Sequence, residues 1–490
     1  MEAYAGLAAQ LSRQEKRTGL AWQAMLAVEQ AREASFSPRA DRTLAEDPDY
    51  QETLASWRAQ QFWRFGEGGA RHLGDQKSKA IESKLRSMEN GWKRVRHAEP
   101  VLDGKLGLER LQSNLGPKDA LLSFSLGEGG SWLWAMTRNS FEQVPLPARG
   151  ELVHRLAGFG KSIHYDSPDQ DGPARELCAT LFDGLSSNVR SRTRWLLSVD
   201  DALLEAPLSA LRCKSGAGER YLIQEHELTP IISALSLVEK QGARPQLQLF
   251  LGIGDPVYNL ADDRWAAATK ESARKLATTQ LPRLPGTREE LQRIAAGWAG
   301  AGLKYKVLTG FEATPERFSQ EVASSPGVIH LAVHLVQEVP DSQGVVLMRS
   351  GAQGMSAVRA RRPSEMFLMF SMRPDGQSDG LTARSVDAYR LPGSLVVMSG
   401  CGTGLGTHQP GAGLAGFFRS WIAAGASGVV GTLWSIPDDA SALFGVFYES
   451  IRAGKAPSMA LRDAQLALLS QGGWNSRPSF WSAWTTVRRN

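Results

Sequence analysis

A cysteine flanked by glycines, in Ser399-Gly400-Cys401-Gly402, directly follows the apolar run Leu395-Val-Val-Met398. A histidine, His334, directly follows a second such run, Val328-Ile-His-Leu-Ala-Val333. Short β-branched runs without alternation predict strands buried on both faces, so both residues are expected at strand ends. A thiol needs a nearby base to become a thiolate at neutral pH, and an imidazole from a neighbouring strand end suits that task. Flanking glycines leave room for a substrate backbone, and the cysteine's own N–H could face a developing oxyanion. Taken singly, the same residues also fit an inert buried thiol and a hydrogen-bonded core histidine. Composition leaves both readings open; the pairing of two strand ends speaks for the chemical one.

Other patterns in the chain compete for a role. Gly411-Ala-Gly-Leu-Ala-Gly416 satisfies G-x-G-x-x-G, but it stands about a dozen residues past the preceding strand and lacks the acidic residue that binds a ribose. Gly376-Gln-Ser-Asp-Gly380 satisfies the G-x-S-x-G elbow of serine hydrolases, with Ser378 as nucleophile. That reading requires Asp387 and then His408, the last histidine of the chain, inside a Gly-rich loop. His330 and His334 have the spacing of a zinc helix, yet they lie on an expected strand with no third ligand, so neither a metal nor a cofactor is expected.

The elements that must position these residues change character along the chain. Residues 1–115 read as helical, with apolar positions recurring at three and four in LAWQAMLAVEQARE and YQETLASWRAQQFWRF. The first of these has the flavour of a TPR-type helix, although no 34-residue repeat is visible. A charged stretch from about Gln76 to Val95 reads as a long helix or helical hairpin. From about Lys118, strands alternate with helices. Ala120–Leu126 and Trp132–Met136 read as a hairpin, and strands follow near 195–199, 247–251, 328–333, 345–348, 395–398 and 428–433. Helices are expected at 287–298 and 457–469. This alternation predicts an α/β fold with a parallel sheet and reactive groups at the strand carboxyl ends.

With 490 residues the chain is too long for one ordinary core. It is 42% hydrophobic and 22% charged, which suits a globular protein. No run nears the roughly 18 apolar residues of a membrane helix, and the first residues lack the order of a secretory signal. A cytoplasmic protein with no membrane partner is therefore expected. The 56 basic and 51 acidic residues are too evenly balanced to imply nucleic-acid binding, and clusters such as Lys93-Arg94-Val95-Arg96 and Arg359–Arg362 read as solvated faces. Three cysteines, Cys178, Cys213 and Cys401, form neither a disulfide framework nor a C-x-x-C pair.

These residues together resemble a known family. His330-Leu-Ala-Val-His334 is similar to the H-[LF]-A-T-H-G phrase of CHAT domains, whose second histidine is catalytic. Ser399-Gly-Cys-Gly-Thr-Gly-Leu-Gly406 is similar to their S-A-C-E-T-G-x-G, whose cysteine is the nucleophile. Flanking phrases follow in family order: Trp195 to Leu211, Leu284-Pro-Gly-Thr-Arg-Glu-Glu-Leu291, Asp379-Gly-Leu-Thr-Ala383, Gly411 to Val429 and Leu433-Trp-Ser-Ile-Pro-Asp438. The similarity runs from about Leu108 to Leu469. It implies a caspase-like fold with a helical region at 1–115, a degenerate half at 116–245 and an active half at 246–490. It further implies a cysteine endopeptidase acting on a protein substrate, with His334 as base and Cys401 as nucleophile. The backbone N–H groups of Cys401 and Leu335 would hold the oxyanion. The family works as a regulated effector in bacterial defence or cell death, so a regulatory protein or ligand acting through the N-terminal helices is implied.

Three positions depart from the family phrases. Leu335 stands in place of Gly, Gly400 and Gly402 in place of Ala and Glu, and Val333 in place of Thr. The leucine favours a second reading, a catalytically weak scaffold that binds partners. Trp434 and Asp438 follow the strand at 428–433 and could line a substrate pocket, in which case Asp438 would favour a basic residue before the scissile bond. A core tryptophan and a helix N-cap aspartate fit the same two positions.

Overall fold

The computed structural model describes residues 18–36, 53, 83–84, 104–216, 218–238, 247–259, 261–268, 281–340, 346–349, 366–373, 379–386, 389–400, 414–434, 436 and 441–489. The chain forms two compact units, Met1–Ser35 with Glu109–Asn490, and Phe36–Leu108. The expected helix at 76–95 and the two basic clusters lie outside the described residues, apart from Ser83 and Lys84.

The larger unit is built on one long sheet. Its first strands are β1 (Asp119–Ser125), β2 (Ser131–Thr137), β3 (Ser140–Leu146) and β4 (Arg194–Ser198). A short hairpin, β5 (Arg212–Ser215) and β6 (Gly218–Tyr221), precedes β7 (Glu227–Ile231). Next come β8 (Leu249–Gly254), β9 (Lys304–Thr309) and β10 (Val328–Ala332). A separate antiparallel sheet of four holds β11 (Leu335–Pro340), β12 (Val346–Arg349), β13 (Met366–Phe370) and β14 (Asp379–Thr382). The chain returns to the main sheet with β15 (Leu395–Met398), β16 (Gly428–Thr432) and β17 (Trp484–Arg488). The eleven strands lie in the order β3-β2-β1-β4-β7-β17-β16-β15-β10-β8-β9.

Strands β1, β4, β7 and β17 run parallel to one another, and so do β16, β15, β10, β8 and β9. The two sets meet where β17 pairs antiparallel with β16. The fold is therefore α/β with a mostly parallel sheet, but its two halves run in opposite directions. Their strand carboxyl ends lie at opposite edges.

Seven helices matter here: α1 (Thr18–Phe36), α2 (Arg149–His164), α3 (Asp171–Phe182), α4 (Pro285–Gly300), α5 (Leu414–Ala423), α6 (Ser441–Arg452) and α7 (Pro457–Gln471). Helix α4 begins with Pro285, whose fixed φ and missing N–H suit a first turn. Its inward stripe is Thr287, Glu290, Leu291, Ile294, Ala295 and Trp298, the three-and-four spacing of an amphipathic helix. Each fully buried Leu or Ile contributes about 1.5–3 kcal/mol. Leu291 lies so close to β8 that a Cβ on Gly254 would meet its Cδ1 at 2.7 Å, so this glycine lets the helix sit tight against the strand.

Cys178 on α3 and Cys213 on β5 form a disulfide with a Cα–Cα distance of 5.6 Å. A single bond is not a disulfide framework, but nothing in the sequence pattern foretold it. The two lie 35 residues apart in sequence, and only the packing of α3 on the hairpin brings them to bonding range. Among the described residues, no helix is long and apolar enough to cross a membrane.

Candidate active site

His334 sits two residues past the end of β10, where the chain turns into β11. Strands β10 and β15 pair in parallel, Leu331 with Met398, so each residue of β10 lies against the residue 67 positions later. The ladder continues as Ser399 N–H donates to the Leu331 carbonyl at 2.9 Å. Gly400 then packs directly on the turn that holds the histidine. A Cβ there would collide with the Val333 carbonyl oxygen and lie 3.6 Å from Leu335 N. Only glycine fits this approach, which explains the departure from alanine at that position. The Gly400 carbonyl is held by Thr432 Oγ1 at 2.6 Å, from the tip of β16.

His334 is buried, and its environment settles its tautomer. Nε2 lies 2.8 Å from the Pro282 carbonyl oxygen, which can only accept, so Nε2 carries the proton. Nδ1 is then the basic nitrogen, and among the described residues it has no hydrogen-bond partner. Burial pushes the imidazole pKa below its ordinary value of 6.5, against the upward pull of the Pro282 carbonyl. The Tyr258 ring packs on the imidazole at 4.8 Å between centroids, and its hydroxyl accepts the His334 backbone N–H at 3.2 Å.

The segment that presents the Pro282 carbonyl is itself fastened. Arg283, the next residue, donates to the carboxylate of Asp255 from Nε at 2.8 Å and Nη2 at 2.9 Å. Arg264 and Arg288 reach the same carboxylate at 2.9 Å each. Asp255 follows β8 with φ of 45°, a left-handed backbone rare outside glycine. Burial raises its carboxyl pKa, but the guanidinium groups of Arg283 and Arg264 outweigh that effect and hold it below its ordinary value. Neither Asp255 nor Pro282 was singled out in the sequence; the G-D-P triplet after β8 was the available signal.

Leu335 opens β11. The Met369 N–H donates to the His334 carbonyl at 2.8 Å, so His334 and Met369 occupy a hydrogen-bonded position of the antiparallel ladder. Leu335 and Leu368, the next pair, fall at a non-bonded position, where the N–H points away from the partner strand. The Leu335 side chain is buried in the core. Trp434 is also buried. Its indole N–H donates to the Ser479 carbonyl at 2.8 Å and its ring meets His164 of α2 edge-on, the packing alternative for this residue. Cys401 and Asp438 lie outside the described residues, as do Gly402, Ser378, Asp387, His408 and Gly411–Gly413.

His330, the other histidine of the phrase, is fully buried. Its Nδ1 lies 2.6 Å from the Tyr448 hydroxyl and its Nε2 2.9 Å from Glu290 Oε1. Among the described residues no cluster of ligating side chains could hold a metal ion.

A CHAT domain model matches residues 171–489. Among solved structures, the Saccharomyces cerevisiae separase–securin complex matches at 9% identity with a TM-score of 0.44, covering 78% of this chain and 30% of that one. A second structure of that complex matches at 8% with a TM-score of 0.44, covering 86% and 34%. The Arg-specific cysteine proteinase gingipain R matches at 9% with a TM-score of 0.36, covering 69% and 74%. The chain thus spans about a third of the separase chains it resembles. No match to a curated protein was found. The family model takes in about two thirds of the sequence, and on that match the chain belongs to the CHAT-domain family.

Proposed function

We propose that the chain is a cysteine endopeptidase in which His334 activates Cys401. The observation that carries this reading is the tautomer of His334. A carbonyl holds Nε2–H, and Nδ1 has no hydrogen-bond partner among the described residues. His334 and Cys401 are also separated by 67 residues, the offset of the β10–β15 register.

In this mechanism Nδ1 takes the thiol proton and the thiolate sulfur attacks the peptide carbonyl carbon. The N–H groups of Cys401 and Leu335 hold the oxyanion. The C–N bond breaks as Nδ1–H protonates the leaving amine, leaving a thioester. Water, deprotonated by Nδ1, attacks the thioester; the acid product leaves and the thiol is restored. The test is a broad peptide library incubated with wild type, Cys401→Ala and His334→Ala, with products read by mass spectrometry, with and without cell lysate. Cleavage by wild type alone supports the reading. No cleavage in any condition, with Cys401 unreactive toward iodoacetamide, turns the assignment to a CHAT scaffold.

Control by a protein or ligand acting through the N-terminal helices, and a place in bacterial defence or cell death, belong to the same proposal. Docking of α1 by a buried charged pair supports the first. A cytoplasmic setting is also part of it, and the Cys178–Cys213 bond weighs against that setting, since such bonds are rare in a reducing cytosol. Thiol counting on protein from its native compartment decides this. One reactive cysteine marks an oxidising environment, and three mark the cytosol.

A further inference from the structure

Glu290 is a carboxylate in a place where a carboxylate is costly. It lies on the inward stripe of α4, buried, beneath the two central strands of the site. Removing an ion from water costs several kcal/mol, and an apolar residue at that position would avoid the cost. What the carboxylate obtains there is specific. Its Oε1 accepts from Ser399 Oγ at 2.9 Å and lies 2.9 Å from His330 Nε2. Ser399 stands two residues before Cys401, and His330 four residues before His334. The Ser399 bond therefore ties α4 to the strand that leads to the cysteine, and His330, on the strand that leads to the histidine, packs against the same oxygen without hydrogen-bond geometry.

The tie is buttressed from behind. Tyr448 on α6 is fully buried, and its hydroxyl lies 2.6 Å from His330 Nδ1. Burial and the Glu290 charge push the phenol pKa well up, so the hydroxyl stays protonated and donates to Nδ1. Nδ1 then accepts, and Nε2 lies at contact distance from Glu290 without the geometry of a hydrogen bond. Phe444, also on α6, meets the His330 ring edge-on at 4.7 Å and fixes its plane. The series Tyr448, His330, Glu290, Ser399 runs from α6 to β10, on to α4 and then to the residue that follows β15.

We infer that Glu290 is a positioning residue for the Cys401 nucleophile, acting through the Ser399 hydroxyl, with His330, backed by Tyr448, packed against its carboxylate. This rests on the dyad reading above. Without the tie, the end of β15 keeps its Thr432 and Leu331 bonds but loses the side-chain anchor nearest the cysteine. In the dyad reading the segment that carries the cysteine is then less well fixed, and its thiolate is less favoured.

The test is the rate of Cys401 alkylation by iodoacetamide against pH, read by peptide mass, in wild type, Ser399→Ala, Glu290→Gln and the double variant. Thermal midpoints are measured in parallel. Ser399→Ala removes only a hydroxyl and serves if Glu290→Gln folds poorly. We expect each single variant to slow alkylation roughly tenfold at neutral pH and to move its pH midpoint up toward the free-thiol value of about 8.5. The double variant should be no slower than the worse single, because both remove one interaction. Unchanged alkylation in Ser399→Ala beside a fast wild type overturns the positioning role and leaves the dyad standing, as does a lower thermal midpoint with an unmoved pH profile. A wild-type Cys401 no more reactive than in the unfolded chain overturns both.

Discussion

At the carboxyl ends of β1, β4 and β7 the sheet meets a carboxylate from its own chain, while at the ends of β10 and β15 it meets the candidate catalytic residues. In the first crevice, Glu29 of α1 is buried and accepts from Ser198 Oγ at 2.8 Å, from Ser123 Oγ and from the Ala234 N–H. Arg32, one turn on, pairs with Glu29 at 2.8 Å and with Asp200 at 2.6 Å, and its Nη2 also donates to the Phe124 carbonyl. In the second crevice the histidine has a basic nitrogen without a partner among the described residues. Both edges are made the same way, by parallel strands ending together. The fold brings parallel strand ends together twice; α1 fills the first, and the second carries the proposed dyad.

That contrast can be broken, starting from the largest effect. His334→Ala should lower kcat/KM at least 10³-fold, while Ser198→Ala at the opposite edge leaves it unchanged; peptide turnover by the two variants checks this. Glu29→Ala leaves Arg32 to Asp200 and takes the acceptor from Ser198 Oγ, Ser123 Oγ and the Ala234 N–H, and should destabilise the larger unit by about 1–3 kcal/mol, measured by urea unfolding. Gly400→Ala forces the end of β15 off the Val333 carbonyl and should cost about 100-fold in kcat with the fold retained by circular dichroism. The smallest effect is a pH shift. Because burial holds the His334 pKa below 6.5, the acid limb of kcat/KM should fall with a midpoint below 6.5. The sign carries over to stability. The unfolded chain binds the proton more readily, so this histidine makes the fold progressively less stable as pH drops below 6.5 toward its folded value.

Much of this was legible in the sequence, for a stated reason. Strands β10, β15 and β16 are buried on both faces, so Val328–Ala332, Leu395–Met398 and Gly428–Thr432 read as unbroken apolar runs. Helices α4 and α7 begin at Pro285 and Pro457, which fixed their starts near the expected ones. What escaped was held together by distant residues. Nothing in Trp484-Thr-Thr-Val-Arg488 marks it as a strand inserted between β7 and β16. The run 345–348 read as part of the parallel sheet, yet Val346–Arg349 pairs antiparallel with β11 in the separate sheet. The candidate site divides in the same way. His334 and Cys401 stand out by their strand ends, whereas the Pro282 carbonyl is a backbone group that any residue could offer. Glu290 looks like any acid in a helix until its burial is known.

Strand β17 also decides how the molecule could associate with its own kind. It pairs with β16 from Gly428 to Thr432 on one side and reaches β7 at Ile231 on the other, and among the described residues no other strand of the main sheet touches both halves. Without its five residues the sheet becomes two, and the flanks of β7 and β16 turn into open edges with unpaired N–H and C=O groups. An open edge of that kind accepts an equivalent strand from another copy as readily as from its own chain. A cut just ahead of Trp484 would therefore leave an open groove in the sheet, ready to take the same segment from an intact copy.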